Sequence, residues 1–430
     1  MPRVALHTLG CKLNYAETST IGKQFLDQGY EIVPFGTAAD VNVINTCSVT
    51  AKANQECRQM IRRALRAAPG SYVIVTGCYA QLSPEEIGAI EGVDLVAGTQ
   101  EKFDLLALAG DRKKLSCVST HVSSLNAAQS FTPAWTTEAG CRTRAFLKVQ
   151  DGCDYTCSFC TIPKARGGSR SESVVHAVES ARRLVDEGFK EIVLTGVNVG
   201  DYGKKNGSTL AGLLRELILV RGLERIRISS IEPNLVTNEI LDLIGDNSPI
   251  CKHLHIPLQS GSDRILGQMR RRYRSADYAV LVDKIASRFP DCGIGADVIV
   301  GFPGETDDLF DETHRLLADL PLSYLHVFTY SERPGTPAAE MASAVSPPER
   351  ARRNAFLRSL GERKRNEFLR RQVGKHLDVL LESEVDLGLR FGFTSNYCRV
   401  GVPADGMAEN TLAAVRLDSI VGGYGIGSLV

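Results

Sequence analysis

The stretch Cys153-Asp154-Tyr155-Thr156-Cys157-Ser158-Phe159-Cys160 spaces three thiols as C-x3-C-x2-C. Three thiolates can hold three corners of a [4Fe-4S] cube and leave the fourth iron without a protein ligand, whereas electron-transfer clusters normally take four. An open iron is a place where a small molecule can bind and react. The competing reading is a structural zinc site, but no paired C-x2-C or H-x3-H follows downstream to complete one.

Around this run the apolar pattern alternates between short β-type segments and longer helical ones, the mark of parallel α/β units. Strands are expected at Ala145 to Gln150, Glu191 to Thr195, Arg225 to Ile231, His253 to Leu258, Ile294 to Val300 and Tyr324 to Thr329. Helical patterns such as Ser173 to Glu187 and Asp307 to Leu320 lie between them. Six such units make a partial (βα)6 barrel, whose active site is built at the carboxyl ends of the strands. The cysteine run lies just beyond the first strand. Later strands end in Thr195-Gly196-Val197-Asn198, Ser229-Ser230-Ile231-Glu232-Pro233, Pro257 to Ser262 and Gly301 to Thr306. Each loop alone is ordinary turn chemistry. Their recurrence at matching strand ends is what suggests a site.

Upstream, Val4 to Leu9, Val41 to Thr46 and Tyr72 to Thr76 read as buried strands, and Asp94 to Ala97 as a further one. Helices are expected at Glu17 to Gln28, Ala51 to Ala67 and Ser83 to Ile90. A cysteine follows each strong strand: Cys11, Cys47 and Cys78. In an open parallel sheet these ends face one crevice, so the three thiols converge into a second three-ligand set. The alternative is that they are ordinary core cysteines. Cys57, inside a helix, should point elsewhere, and Cys117, Cys141, Cys251, Cys292 and Cys398 show no ligand spacing.

Asp111 to Gly140 loses periodicity and reads as a connector. From about Phe368 the chain turns rich in Val, Leu and Gly, with β-type runs at Leu377 to Leu381, Tyr397 to Val402 and Leu412 to Leu417, as in a small β-barrel. Two basic stretches stand out: Arg270-Arg271-Arg272-Tyr273-Arg274, and Arg350 to Lys375 with ten Lys or Arg. Such runs bind phosphates, or are simply solvated faces.

The chain has 430 residues, 43% of them hydrophobic, with 50 basic and 50 acidic side chains. Net charge therefore argues neither for nor against nucleic acid. No stretch reaches the roughly 18 apolar residues of a membrane span. Twelve cysteines in so large a chain fit metal ligation in a reducing compartment better than a disulfide scaffold. The expectation is a soluble, cytoplasmic α/β protein divided at 1–112, 113–140 (linker), 141–366 and 367–430.

The cysteine sets, their order and the terminal barrel resemble the radical S-adenosylmethionine methylthiotransferases over nearly the full length. Thr8-Leu9-Gly10-Cys11-Lys12-Leu13-Asn14, Val43 to Thr50 and Gln150 to Gly167 most resemble the MtaB type, which acts on transfer RNA carrying N6-threonylcarbamoyladenosine beside the anticodon. The isopentenyladenosine enzymes tend to read Gly-Cys-Gln-Met-Asn at the first motif, and the ribosomal-protein enzymes Gly-Cys-Pro-Lys-Asn. The resemblance implies an N-terminal methylthiotransferase domain, a radical S-adenosylmethionine core and a C-terminal TRAM barrel. It implies two [4Fe-4S] clusters, one on Cys153, Cys157 and Cys160 and one on Cys11, Cys47 and Cys78. S-adenosylmethionine would be both radical source and methyl donor, and a C–H bond at C2 of the adenine would become C–S–CH3. Phe159, Gly196, Asn198, Ser230, Glu232, Gln259 and Asp297 are expected at the cofactor. Arg270, Arg271, Arg272, Arg274, Asn396 and Tyr397 are expected at the RNA. Implied partners are the anticodon stem-loop and a low-potential electron donor, with no membrane and a monomeric chain. The alternatives are isopentenyladenosine or a ribosomal-protein side chain as substrate, or another radical reaction with a structural metal on the N-terminal cysteines.

Overall fold

The structure is a computed structural model describing residues 1–115, 117–125, 130–137, 143–245 and 248–430. Cys141 and Asn126, read above as incidental and as connector, lie outside the described residues. The N-terminal sheet has six parallel strands in the order Glu31–Val33, Arg3–Thr8, Val41–Thr46, Tyr72–Gly77, Leu95–Ala97, Ser119–His121. Val41–Thr46 and Tyr72–Gly77 are buried along their whole length, as central strands of a parallel sheet should be. Helices Lys12–Asp27 and Ala51–Ala67 follow the first and third strands of the chain. Thr50 caps the second by accepting from the Ala53 amide.

Two strands were not expected. Ser119–His121 lies within the stretch read as a connector and pairs in parallel with Leu95–Ala97. Its Ser-Thr-His sequence has no apolar alternation because it is an edge strand, paired on one side only. Glu31–Val33 forms the opposite edge.

The six core strands are Ala145–Lys148, Glu191–Thr195, Arg225–Ile228, His253–His255, Gly293–Val300 and Tyr324–Thr329. They form two three-stranded parallel sheets joined by bridges at Ile226–Ile250 and Ser230–His255. That is the partial barrel expected, with one large apolar core between strands and outer helices. Helix Pro347–Arg370 packs on the last strand and leads into a closed five-stranded barrel: His376–Asp386, Leu389–Thr394, Arg399–Pro403, Leu412–Val421 and Tyr424–Leu429. Leu389–Thr394 and Tyr424–Leu429 escaped the sequence reading. In the latter, a side chain on Gly425 or Gly427 would sit 2.3 Å from Leu417 or Val415, so closure demands glycine where a strand pattern would show apolar residues.

A buried charge network locks the N-terminal layer to the barrel. Glu17 meets Lys102 at 2.8 Å, Lys148 at 3.1 Å and Arg166 at 3.0 Å. Asp151 meets Arg166 at 2.9 Å, Lys148 at 2.8 Å and Arg170 at 2.9 Å. Arg166 also donates to Asn14, whose amide donates in turn to the carbonyls of Leu9 and Thr46. The loops bearing Cys11 and Cys47 are thereby tied to the loop that follows Cys160. No helix of the described residues is long and apolar enough to cross a membrane.

Candidate active site

The cysteine loop is held by backbone contacts that only glycine allows. Gly152 has φ +69°, and a Cβ there would stand 2.1 Å from the Gly168 carbonyl oxygen. The Cys153 amide donates to the Gly167 carbonyl at 3.0 Å, and the Cys160 amide to the Cys157 carbonyl at 3.1 Å. Each sulfur receives one N–H donor. Cys153 Sγ accepts from the Tyr155 amide at 3.4 Å, Cys160 Sγ from the Ile162 amide at 3.4 Å, and Cys157 Sγ from Arg271 Nη1 at 3.2 Å. Burial pushes the free thiols of Cys153 and Cys160 up to about 11 and about 12. Such thiols lose their protons when metal replaces them, and the donors then hold the thiolate charge. The loop thus fits a cluster bound by three cysteines.

The second set also converges. Gly10 (φ +104°) and Gly77 (φ +96°) turn the chain just before Cys11 and Cys78. A Cβ on Gly10 would lie 2.9 Å from Cys47 Sγ, so the first and second cysteines are neighbours. Burial pushes the Cys47 thiol up to about 12, with Cys78, Cys11 and Cys57 adding to the rise; Cys78 is raised too, also by burial first. Cys78 faces Arg166 and Lys102, which pull the other way. The network behind it holds four cations against two carboxylates. A buried surplus of positive charge beside three thiols fits an anionic cluster. Cys57 packs beneath, its thiol donating to the Cys47 carbonyl at 3.5 Å. From the barrel, Arg333 reaches across to Ser48 at 2.8 Å.

Gly77→Ala is expected to disturb this set selectively. The new methyl would stand 2.4 Å from Asn45 Oδ1 and 2.5 Å from the Thr46 carbonyl, in a left-handed conformation. Strain of about 2 kcal/mol or more should lower iron bound at Cys11, Cys47 and Cys78. Iron analysis and cleavage of S-adenosylmethionine, which depends on the other set, would separate the two effects.

Two cavities meet between the cysteine sets. The larger, about 420 Å³, is lined by Cys11 and Lys12 from the N-terminal layer, Gly196, Ser230 and Asp297 from the barrel, and Tyr397 from the terminal barrel. The smaller, about 240 Å³, is lined by Phe159, Gln259, Asp297 and Ile299, with Val49 and Thr50 closing it from the Cys47 loop. Asp297 and Phe328 belong to both. Asp297 accepts from His255 at 2.9 Å and lies 3.4 Å from His326. Burial opposes its charge, but these histidines hold its carboxyl well below the usual range.

The residues expected at the cofactor therefore divide. Phe159, Gln259 and Asp297 share the smaller cavity, and Gly196 and Ser230 the larger. Asn198 and Glu232 line neither. The Asn198 side chain is buried and donates to Asp201, while Glu232 pairs with Arg271 beside Cys157.

The residues expected at RNA need more correction. Arg271 is buried, bound to Glu232 and Cys157, and is not presented to an outside partner. Asn396 is buried with its amide spent on the Asp291 carbonyl and Gln372. Tyr397, stacked on His253 (4.6 Å) and Phe393 (4.9 Å), lines the larger cavity rather than the outer surface. Arg270, Arg272 and Arg274 are exposed, Arg272 lying over the Tyr155 ring at 3.8 Å. On helix Pro347–Arg370, Arg350, Arg353 and Lys364 are buried and satisfied internally, and Arg358, Arg363, Arg365 and Arg370 are exposed. Lys12, quoted above only within the first motif, lines the larger cavity with His255 and His326, and no local pattern marked those histidines or Arg333.

A partial parallel barrel with a three-cysteine loop at its first strand end, faced by a second three-cysteine layer, is the framework of a two-cluster radical S-adenosylmethionine enzyme. Residues 3–98 match the family described as Uncharacterized protein family UPF0004, and residues 147–317 the Radical SAM superfamily. Threonylcarbamoyladenosine tRNA methylthiotransferase MtaB of Bacillus subtilis is 42% identical over 93% of this chain and 90% of its own. Its namesake in Aquifex aeolicus is 39% identical over 95% and 98%. The radical S-adenosylmethionine methyltransferase TsrM of Kitasatospora setae shares the fold, with a TM-score of 0.57 at 16% identity over 79% of this chain and 75% of that one. The chain belongs to the MtaB-type methylthiotransferases, radical enzymes that use S-adenosylmethionine and [4Fe-4S] clusters.

Proposed function

We propose that this protein converts N6-threonylcarbamoyladenosine beside the anticodon of transfer RNA to its 2-methylthio derivative. The observation that carries this reading is the shared wall of the two cavities. Asp297 and Phe328 line both a pocket reaching Phe159 of the cluster loop and a pocket reaching Cys11. A carbon held at that wall can lose hydrogen on one side and meet sulfur on the other. Both MtaB relatives described above carry this substrate in their names, which favours it over isopentenyladenosine or a protein side chain.

When bound, S-adenosylmethionine and the clusters supply the radical, the electron, the sulfur and the methyl group. Cys153, Cys157 and Cys160 would hold one cluster, and Cys11, Cys47 and Cys78 the other. Arg271 fixes Cys157 and Glu232 in one arrangement. The ring of Phe159, packed at right angles to Phe302, offers an apolar face suited to the cofactor adenine. Asn198, Gly196, Ser230, Glu232 and Gln259 remain our candidates for its polar ends. Val49 and Thr50 of the Cys47 loop line the smaller cavity.

Arg270, Arg272 and Arg274 would hold the anticodon stem-loop near the cluster loop, with the exposed arginines of Pro347–Arg370 and the terminal barrel extending the track. We divide the chain at 1–112, 113–140, 141–366 and 367–430, and read it as a cytoplasmic monomer served by a low-potential electron donor. Changing Arg270, Arg272 and Arg274 together to glutamine should lower the slope of log affinity against log salt by about 2, at about 0.7 per contacted phosphate of a single-stranded loop. An unchanged slope would remove them from the interface.

The function is tested by deleting the gene and analysing nucleosides of digested transfer RNA by mass spectrometry. The methylthio form should vanish, return with the wild-type chain, and stay absent with Cys157→Ala. Its persistence in a host with no second such enzyme would refute the reading.

A further inference from the structure

Lys12 follows Cys11 directly and lines the larger cavity. Its side chain is exposed where it fronts that cavity. The neighbouring cations have anions of their own. Arg144 donates to Glu382 at 2.9 Å, and Arg227 donates to Glu191 at 2.7 Å. Among the described residues, Lys12 has neither a hydrogen bond nor an ion pair for its ammonium group. Of the acidic groups within its electrostatic reach, Glu191 is taken by Arg227 and Arg225, and Tyr397 lies under the guanidiniums of Arg144 and Arg227. A cation at a cavity wall with no protein counter-ion is free to pair with the charge of a bound ligand.

The substrate named above carries such a charge. Its threonyl carboxylate is ionised at neutral pH. The N6 substituent and C2 flank the same ring nitrogen, N1, so a base with C2 toward Cys11 has its N6 side chain within reach of the next residue. We propose that the ammonium of Lys12 pairs with the threonyl carboxylate, making the larger cavity selective for an adenine whose N6 substituent ends in an anion. Arg144 and Arg227 reinforce the positive potential there. Tyr397 and His253, stacked on each other, line the same cavity.

This inference rests on the substrate proposed above, and its test separates the two. Anticodon stem-loop RNA would be prepared with N6-threonylcarbamoyladenosine or with the same group as its neutral carboxamide. Affinities for the full-length, cluster-reconstituted protein would be read by fluorescence anisotropy under anaerobic conditions, with methylthio product measured in parallel. A charge-assisted pair at the cavity wall predicts that wild type binds the acid about ten- to a hundredfold more tightly than the amide. Lys12→Gln should erase that preference, and Lys12→Arg should keep most of it, both with unchanged iron content. Equal affinity of wild type for acid and amide, or a Lys12→Gln protein that still discriminates, overturns the inference while product formation upholds the reaction. Absence of methylthio product from wild type on either RNA overturns both. Should Lys12→Gln fail to fold, the wild-type comparison of acid with amide still decides.

Discussion

Cys157→Ala is expected to end 5′-deoxyadenosine formation, with no turnover above background, while Cys47→Ala keeps that cleavage and loses only sulfur insertion. The two thiols sit in separate sets, on separate layers, each with its own turn glycines and its own positive neighbours: Arg271 at Cys157, and Arg166 with Lys102 at Cys78. Cys157 is the one cysteine of its loop whose sulfur is bonded to a side chain. Its loss removes a ligand and leaves the buried Arg271 with Glu232 alone. Iron analysis of anaerobically prepared protein should give about eight irons per chain for wild type and about four for either triple-cysteine variant, one cube being left in each case. Cleavage of S-adenosylmethionine by a protein lacking Cys153, Cys157 and Cys160, or an unchanged iron count, would sink the assignment. Loss of cleavage in Cys47→Ala would mean that the two sets are not independent.

Glu17→Gln should be strongly destabilising. Glu17 is fully buried and accepts from Lys102, Lys148 and Arg166. Removing its charge leaves four enclosed cations facing only Asp151. Breaking a buried pair on one side costs about 3–5 kcal/mol, which should lower the apparent unfolding midpoint by about 10 °C. Lys23→Ala, which removes an exposed pair with Asp27, should leave the midpoint where it was. Burial opposes the charge on Glu17 and Asp151, but their cations outweigh it and hold both carboxyls well below the usual range. A carboxyl so depressed contributes stability that is complete above its unfolded value of about 4. That contribution is lost as pH falls toward the folded value. Wild type should therefore lose stability steeply on acidification, and Glu17→Gln less steeply. Thermal melts from pH 7 downward check both statements, and equal slopes would show that Glu17 is not the titrating group. Because the same network ties Asn14 to Arg166, the variant should also bind less iron at the N-terminal set.

What could be read from the chain was what neighbouring residues encode. C-x3-C-x2-C is a local spacing and predicts its ligand set without knowledge of the fold. The six barrel strands are short apolar runs at regular intervals, and strand ends of a parallel sheet share one side, so Cys11, Cys47 and Cys78 could be brought together on paper. Local signals failed where a residue answers to distant neighbours. Tyr424–Leu429 hides as a strand because barrel closure leaves room only for hydrogen at Gly425 and Gly427. The Arg270 to Arg274 run looks uniformly basic, yet the turn at Arg270 (φ +58°) sends Arg271 inward to Cys157 and leaves its neighbours outside. Arg166 and Glu17 are 149 positions apart, and Cys157 and Arg271 are 114 apart. Their pairing, and the unpaired charge of Lys12 at the cavity wall, are decided by how three layers pack. Charge in a sequence has no address until burial removes the water that would otherwise screen it.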